Sequence, residues 1–127
     1  MTEIRQVKKG SCIIYNDKPY RVEDLRSVVV SRHSHSKTKV ILGNVFDRTD
    51  RVTLSMPHSE QVEEAPITRK HGQYIARLGP GRGQVMDMRD YSIYEAEIPD
   101  EIDEKIMEGN EVTFIEFKGR CKVVEIR

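Results

Sequence analysis

The stretch PDEIDEKIMEG, residues 99–109, is where apolar residues recur at helical spacing, and its reading decides the fold. Ile102, Ile106 and Met107 share a face, and Gly109 suits a helix stop. On both sides the chain is punctuated as short strands. Upstream, Gln73–Leu78 precedes the strong turn Gly79-Pro80-Gly81-Arg82-Gly83, and Gln84–Met88 and Ile93–Ile98 are joined through Asp90-Tyr91-Ser92. Downstream, Glu111–Phe117 and Arg120–Ile126 flank Lys118-Gly119. A helix between the third and fourth of five strands is how an OB-type barrel plugs its end.

The first half continues in the same style. Ile4–Val7 is strand-like, and Cys12–Tyr15 and Pro19–Val22 flank the hairpin turn Asn16-Asp17. Ser27–Val30, Lys39–Phe46 and Arg51–Met56 follow. Val62–Thr68 is extended but contains Pro66, so it reads as an edge or a linker. The spacing that βαβ units need is absent. The expected fold is therefore all-β with one short helix: two small barrels, residues 1–67 and 68–127, joined near Pro66.

Composition narrows the function classes. The chain has 127 residues, 37% hydrophobic and 33% charged, so each core must be small. The 21 Lys+Arg balance 21 Asp+Glu, unlike the basic excess of a general polyelectrolyte binder. Cys12 and Cys121 each sit in an apolar run and read as buried free thiols of a reducing compartment. The N-terminus lacks the apolar segment of a signal peptide, and no run approaches the roughly 20 residues of a membrane span. A cytoplasmic protein without a membrane partner is expected.

Catalytic and metal frames are weak. Gly79–Gly83 lacks the Gly-Lys-Ser/Thr of a phosphate loop and reads as a hairpin turn. His33 and His35, even with His58 or His71, do not show zinc-ligand spacing, so no metal is expected. No nucleophile elbow is present. A binding module without a cofactor is the better class.

The sharpest signal is VVVSRHSHSKTKV, residues 28–40. From Leu25 to Phe46 the chain carries Arg26, Arg32, His33, His35, Lys37 and Lys39 and no acid. By contrast, Glu95 to Glu104 holds six acids and no base. Residues 1–67 have 11 basic and 9 acidic side chains, and residues 68–127 have 10 and 12. A basic, hydroxyl-rich loop between strands reaches toward an anion, and RNA phosphate is the expected one.

The order and spacing of several further pieces resemble the translation initiation factor 5A family, in its archaeal form. These are Lys9-Gly-Ser, Lys18-Pro-Tyr-Arg-Val, Val45-Phe-Asp, Val62-Glu-Glu-Ala-Pro-Ile and Gln84-Val-Met-Asp-Met-Arg-Asp-Tyr. The resemblance runs from about Val7 to the end. It implies an SH3-like N-terminal barrel and a C-terminal OB fold. It also implies a non-enzymatic factor, monomeric or weakly dimeric, bound to the ribosome between the exit and peptidyl sites, near the transfer-RNA acceptor end.

The family's loop reads Ser-Lys-(Thr or Pro)-Gly-Lys-His-Gly-x-Ala-Lys. Without gaps it falls on residues 28–37, where His33 and Lys37 match. The lysine that the family converts to hypusine falls on Arg32, the two glycines fall on Ser31 and Ser34, and the first lysine falls on Val29. Hypusine synthesis needs a lysine amine, which a guanidinium cannot replace. The resemblance thus implies a divergent, non-hypusinated member with Arg32 at the tip and Arg26, Ser31, His33, Ser34, His35, Lys37 and Lys39 around the RNA. Arg69, Lys70, His71 and Arg89 are expected to add contacts from the second barrel. The rival is a paralogue that binds RNA elsewhere or self-assembles as a structural protein, as the fungal Woronin-body core protein of this fold does.

Overall fold

The computed structural model describes residues 1–28 and 37–127, which form two compact units, Met1–Pro66 and Ile67–Arg127. Ser31, Arg32, His33, Ser34 and His35 lie outside the described residues.

In the first unit, Asn16 and Asp17 have φ of 51° and 64°. Two successive left-handed residues make the tight turn that matches strand twist, and short polar side chains tolerate that conformation. They join β2 (Cys12–Tyr15) to β3 (Lys18–Val28). With β1 (Thr2–Glu3), β4 (Lys37–Asn44), β5 (Arg51–Pro57) and β6 (Gln61–Glu64), these form a six-stranded antiparallel sheet in the order β1-β6-β2-β3-β4-β5. Ile4 N–H donates to Glu60 O at 2.8 Å, carrying the β1–β6 pairing one residue further. Ile4, Val7, Ile13, Tyr20, Val22, Val40, Leu42 and Val62 fill the interior.

Two expectations are corrected here. Ile4–Gln6 is a 3-10 turn rather than a strand, and it drives Ile4 fully into the core. The separate strands expected at 19–22 and 27–30 are one strand to Val28. The polar Glu23-Asp24 pair is absorbed by a bulge between Val22 and Asp24, where the Leu25 N–H donates to Asp24 Oδ1 at 2.9 Å.

The second unit is a closed barrel of β7 (Thr68–Gly79), β8 (Arg82–Asp87), β9 (Ile93–Glu97), β11 (Arg120–Ile126) and β10 (Glu111–Phe117), returning to β7. Only β9 and β11 pair in parallel. A four-residue helix, α1 (Asp100–Asp103), lies between β9 and β10, as in an OB fold. The fold is thus all-β with one short helix, as the strand punctuation implied.

The helix stops after one turn. Gly109 N–H donates to Tyr74 O, and Tyr74 N–H donates to Asn110 O, both at 2.8 Å, so the chain must leave the helix to reach β7. Ile102 and Ile106 still pack on the core, while Met107 is exposed.

β7 begins five residues before the expected Gln73 because the barrel closes through it. Residues 68–73 pair with β10, and residues 72–79 pair with β8. Gly72 pairs on both sides, and a Cβ there would come within 2.6 Å of Val85 Cγ1 and 2.7 Å of Phe114 Cε1. Only glycine lets the two walls approach this closely.

A polar lock holds the β4–β5 connection. Asp50 Oδ2 accepts from the Tyr20 hydroxyl at 2.5 Å and from Asn44 Nδ2 at 3.0 Å, while Asn44 Oδ1 accepts from the Phe46 N–H at 2.8 Å. The Tyr20 bond, then the Asn44 bond, holds the Asp50 carboxyl below its usual range. The bond to Asp50, with burial, pushes the Tyr20 phenol up to about 12. The depressed acid contributes stability above the ordinary carboxylate value of about 4 and loses it as pH falls through the folded value. The raised phenol has the opposite sign: the unfolded chain ionises first, so stability falls as pH climbs from about 10 toward 12. In thermal unfolding across pH, Tyr20→Phe should melt lower than wild type at pH 7, and the gap should narrow below about pH 4 and above about pH 10. A constant gap would exclude the lock.

Candidate nucleic-acid interface

At the end of the β3–β4 ladder, register places Arg26 opposite Lys39 and Val28 opposite Lys37. Residues directly opposite in a ladder share a face. Arg26, Lys37 and Lys39 therefore stand together on the exposed face, with Thr38 and Val40 turned inward. Arg26 is not wholly available: its Nε lies 3.1 Å from Asp24 Oδ2. The Leu25 N–H and then Arg26 hold the Asp24 carboxyl below its usual range. Lys37 and Lys39 have no acidic partner within ion-pair distance among the described residues. Beneath them the buried Thr38 hydroxyl sits 2.6 Å from His58 Nδ1, fastening β4 to the turn after β5.

In the second unit the run Arg69-Lys70-His71 is divided by the period of the strand. Lys70, Gly72 and Tyr74 point into the barrel, while Arg69 and His71 point out. At the barrel mouth the Lys70 ammonium lies 2.9 Å from Glu116 Oε1 and 3.6 Å from Asp87 Oδ2, and it donates to the Tyr94 hydroxyl at 2.9 Å. It also lies 4.7 Å from the Tyr94 ring centroid. The bonds to Tyr94 and Glu116 outweigh burial and raise its pKa, keeping it charged. Lys70 is thus part of the barrel's own polar layer. Counting back by twos from Tyr74 would have found this; the run of three bases beside Pro66 masked it.

Between the start of β7 (Thr68–His71) and the end of β8 with its turn (Asp87–Arg89) lies a groove of about 310 Å³. Arg69 and Arg89 are exposed, line it, and have no ion-pair partner within 4 Å among the described residues. His71 Nε2 is 3.7 Å from Glu111 Oε1, too far for a hydrogen bond. Arg69 and His71 from one run and Arg89 from the turn after β8 are therefore brought to one place. Tyr91 and Asp87, which shape the adjoining turn, were not singled out. No group of three metal-ligating side chains occurs among the described residues, and none of their helices is long and apolar enough to cross a membrane.

Comparison with known proteins identifies the lineage, although no family model matches the chain. Translation initiation factor 5A of Methanoregula boonei is 32% identical over 122 residues, covering 96% of each chain. That of Methanopyrus kandleri is 30% identical over 127 residues, covering 98% of this chain and 92% of the relative. The chain belongs to the translation initiation factor 5A family. The solved structure of eukaryotic translation initiation factor 5A from Methanococcus jannaschii superposes with a TM-score of 0.82 at 27% identity, covering 99% of this chain and 92% of that one. A factor 5A family protein from Naegleria fowleri has the same fold, with a TM-score of 0.74 at 20% identity.

Within this factor 5A fold, Lys70 and Arg69 should separate cleanly by mutation. Lys70→Met strands two carboxylates at the barrel mouth and should cost on the order of 3 kcal/mol of folding stability. Arg69→Ala should stay within about 0.5 kcal/mol of wild type. Urea unfolding measures both; equal effects would remove the distinction between inner and outer side chains.

Proposed function

We propose that this protein acts as a ribosome-bound translation factor, without enzymatic activity, that supports peptide-bond formation. The observation that carries this reading is family membership over nearly the whole chain, joined to an acid-free basic segment from Leu25 to Phe46. In this reading the loop approaches the acceptor end of the peptidyl-site transfer RNA. Arg32 is its tip, and Ser31, His33, Ser34 and His35 surround it. Lys37 and Lys39 neutralise phosphate from the exposed face of β4, and Arg26 joins them by releasing Asp24.

Arg32 acts as a bare guanidinium. Its planar, delocalised charge contacts phosphate in a bidentate manner or stacks on a base, and it offers no amine for aminobutyl transfer. Arg69, His71 and Arg89 supply a second, weaker RNA contact from the other barrel.

Sedimentation with cognate ribosomes over a salt series tests the reading. Wild type should pellet with ribosomes at moderate salt, and Arg32→Ala should weaken binding roughly 10- to 150-fold, the loss expected of a charge-assisted contact worth roughly 1.5–3 kcal/mol. Mass spectrometry of the Arg32 peptide from native source should show no aminobutyl adduct. Failure of wild type to pellet would overturn the ribosomal role, and an adduct would overturn the bare-guanidinium tip.

A further inference from the structure

The turn after β8 presents an aromatic ring in a way that barrel packing does not require. Tyr91 is 70% exposed and has φ of 62°, a left-handed conformation that costs a residue with a Cβ. Four hydrogen bonds hold it there. The Arg89 N–H donates to Asp87 Oδ1 at 2.8 Å, the Tyr91 N–H donates to Asp87 O at 2.8 Å, the Asp87 N–H donates to Ser92 O at 2.8 Å, and the Ser92 N–H donates to Asp90 Oδ1 at 3.0 Å. Asp87 is itself only 4% exposed and anchored beside Lys70. The turn is therefore fixed from below, and its strained residue contributes little buried area.

The same Asp87 and Arg89 line the groove that Arg69 enters from β7. The groove's own cation, Lys70, is compensated by Asp87 and Glu116, whereas the arginines at its rim have no ion-pair partner among the described residues. Two exposed guanidiniums lining one groove, with an exposed phenol two residues beyond Arg89 on a hydrogen-bonded turn, have the composition of a site for single-stranded nucleic acid, where phosphates meet arginine and bases stack on aromatic faces.

We propose that this corner of the second barrel binds one nucleotide of single-stranded RNA, its base stacked on Tyr91 and its flanking phosphates held by Arg69 and Arg89. This rests on the RNA contact assigned above to the second barrel and adds the ligand class and the stacking residue. Binding is tolerant of base identity, because every base offers a π-face, and it weakens with salt through the two phosphate contacts.

The test is fluorescence anisotropy of the full chain with a labelled oligouridine at low salt, alongside ribosome pelleting of the same variants. Tyr91→Ala should weaken oligouridine binding about tenfold, Tyr91→Phe should bind like wild type, and Arg69→Ala with Arg89→Ala should flatten the salt dependence. An unchanged thermal midpoint for Tyr91→Ala keeps a folding defect from imitating the loss. Wild-type indifference to oligouridine, or equal binding by Tyr91→Ala, overturns the proposal even if ribosomes still pellet the protein. Loss in Tyr91→Ala with retention in Tyr91→Phe supports it even if pelleting fails, so the two readings fall separately.

Discussion

The ammonium of Lys70 sits where the second barrel has run out of apolar filler. β7 pairs on both sides, so every second residue along it must point inward, and Lys70 follows Gly72 and Tyr74 on that inner face. Burying one charge there would be costly, but Asp87 on β8 and Glu116 on β10 bring carboxylates to it from both neighbouring strands. Tyr94 closes the layer by accepting a hydrogen bond and lending its ring face. The mouth is sealed by polar groups that satisfy one another. Asp87 then has a second task, because its other carboxylate oxygen and its carbonyl fix the turn that carries Arg89 and Tyr91. An interior charge in this way sets the geometry of an exterior surface.

The first unit solves a related problem with different atoms. Its long β3–β4 ladder ends at the Val28–Lys37 pair, and a bulge at Glu23 bends it on the way. Beyond the bulge Asp24 meets Arg26, so a tether forms near the end of the ladder. Thr38 and His58 fasten β4 from beneath. The end of this ladder is thus secured at two points. The Tyr20–Asp50–Asn44 lock secures the opposite end of the β4–β5 hairpin.

The barrels were legible because strand punctuation is a local property. Asn16-Asp17 and Lys118-Gly119 each announced a two-residue turn by side-chain chemistry alone, and both pairs have positive φ. Where local signals misled, a long-range demand had won. Glu23-Asp24 looked like a break because bulges leave no compositional mark. Val62–Thr68 looked like an edge or a linker because it contains Pro66, and the next strand was expected only from Gln73, yet barrel closure needs β7 to begin at Thr68. Ile106 and Met107 looked like helix, yet the chain had to hand Asn110 to Tyr74. The site divides likewise. Arg69 and Arg89 were legible as exposed cations, but Lys70's inward aim follows from a register that pairing alone fixes, and the strain at Tyr91 is a backbone property with no signature in residue type.

Zero net charge is compatible with an anionic partner once the charges are placed. Many of the acids face bases of this same chain: Arg51 meets Glu23, Arg77 meets Asp103, Arg82 meets Glu95, and Arg120 meets Glu97 on both carboxylate oxygens. Such exposed pairs add little stability, but each cancels the field of its own base. Lys37 and Lys39 in one unit and Arg69 and Arg89 in the other have no such partner among the described residues. The screening length of about 8 Å at physiological salt means that a phosphate responds to these nearby charges and hardly at all to the distant acids that balance the sum. On the proposed reading, affinity for RNA is set by where the pairing stops, a quantity that the balance of 21 against 21 conceals.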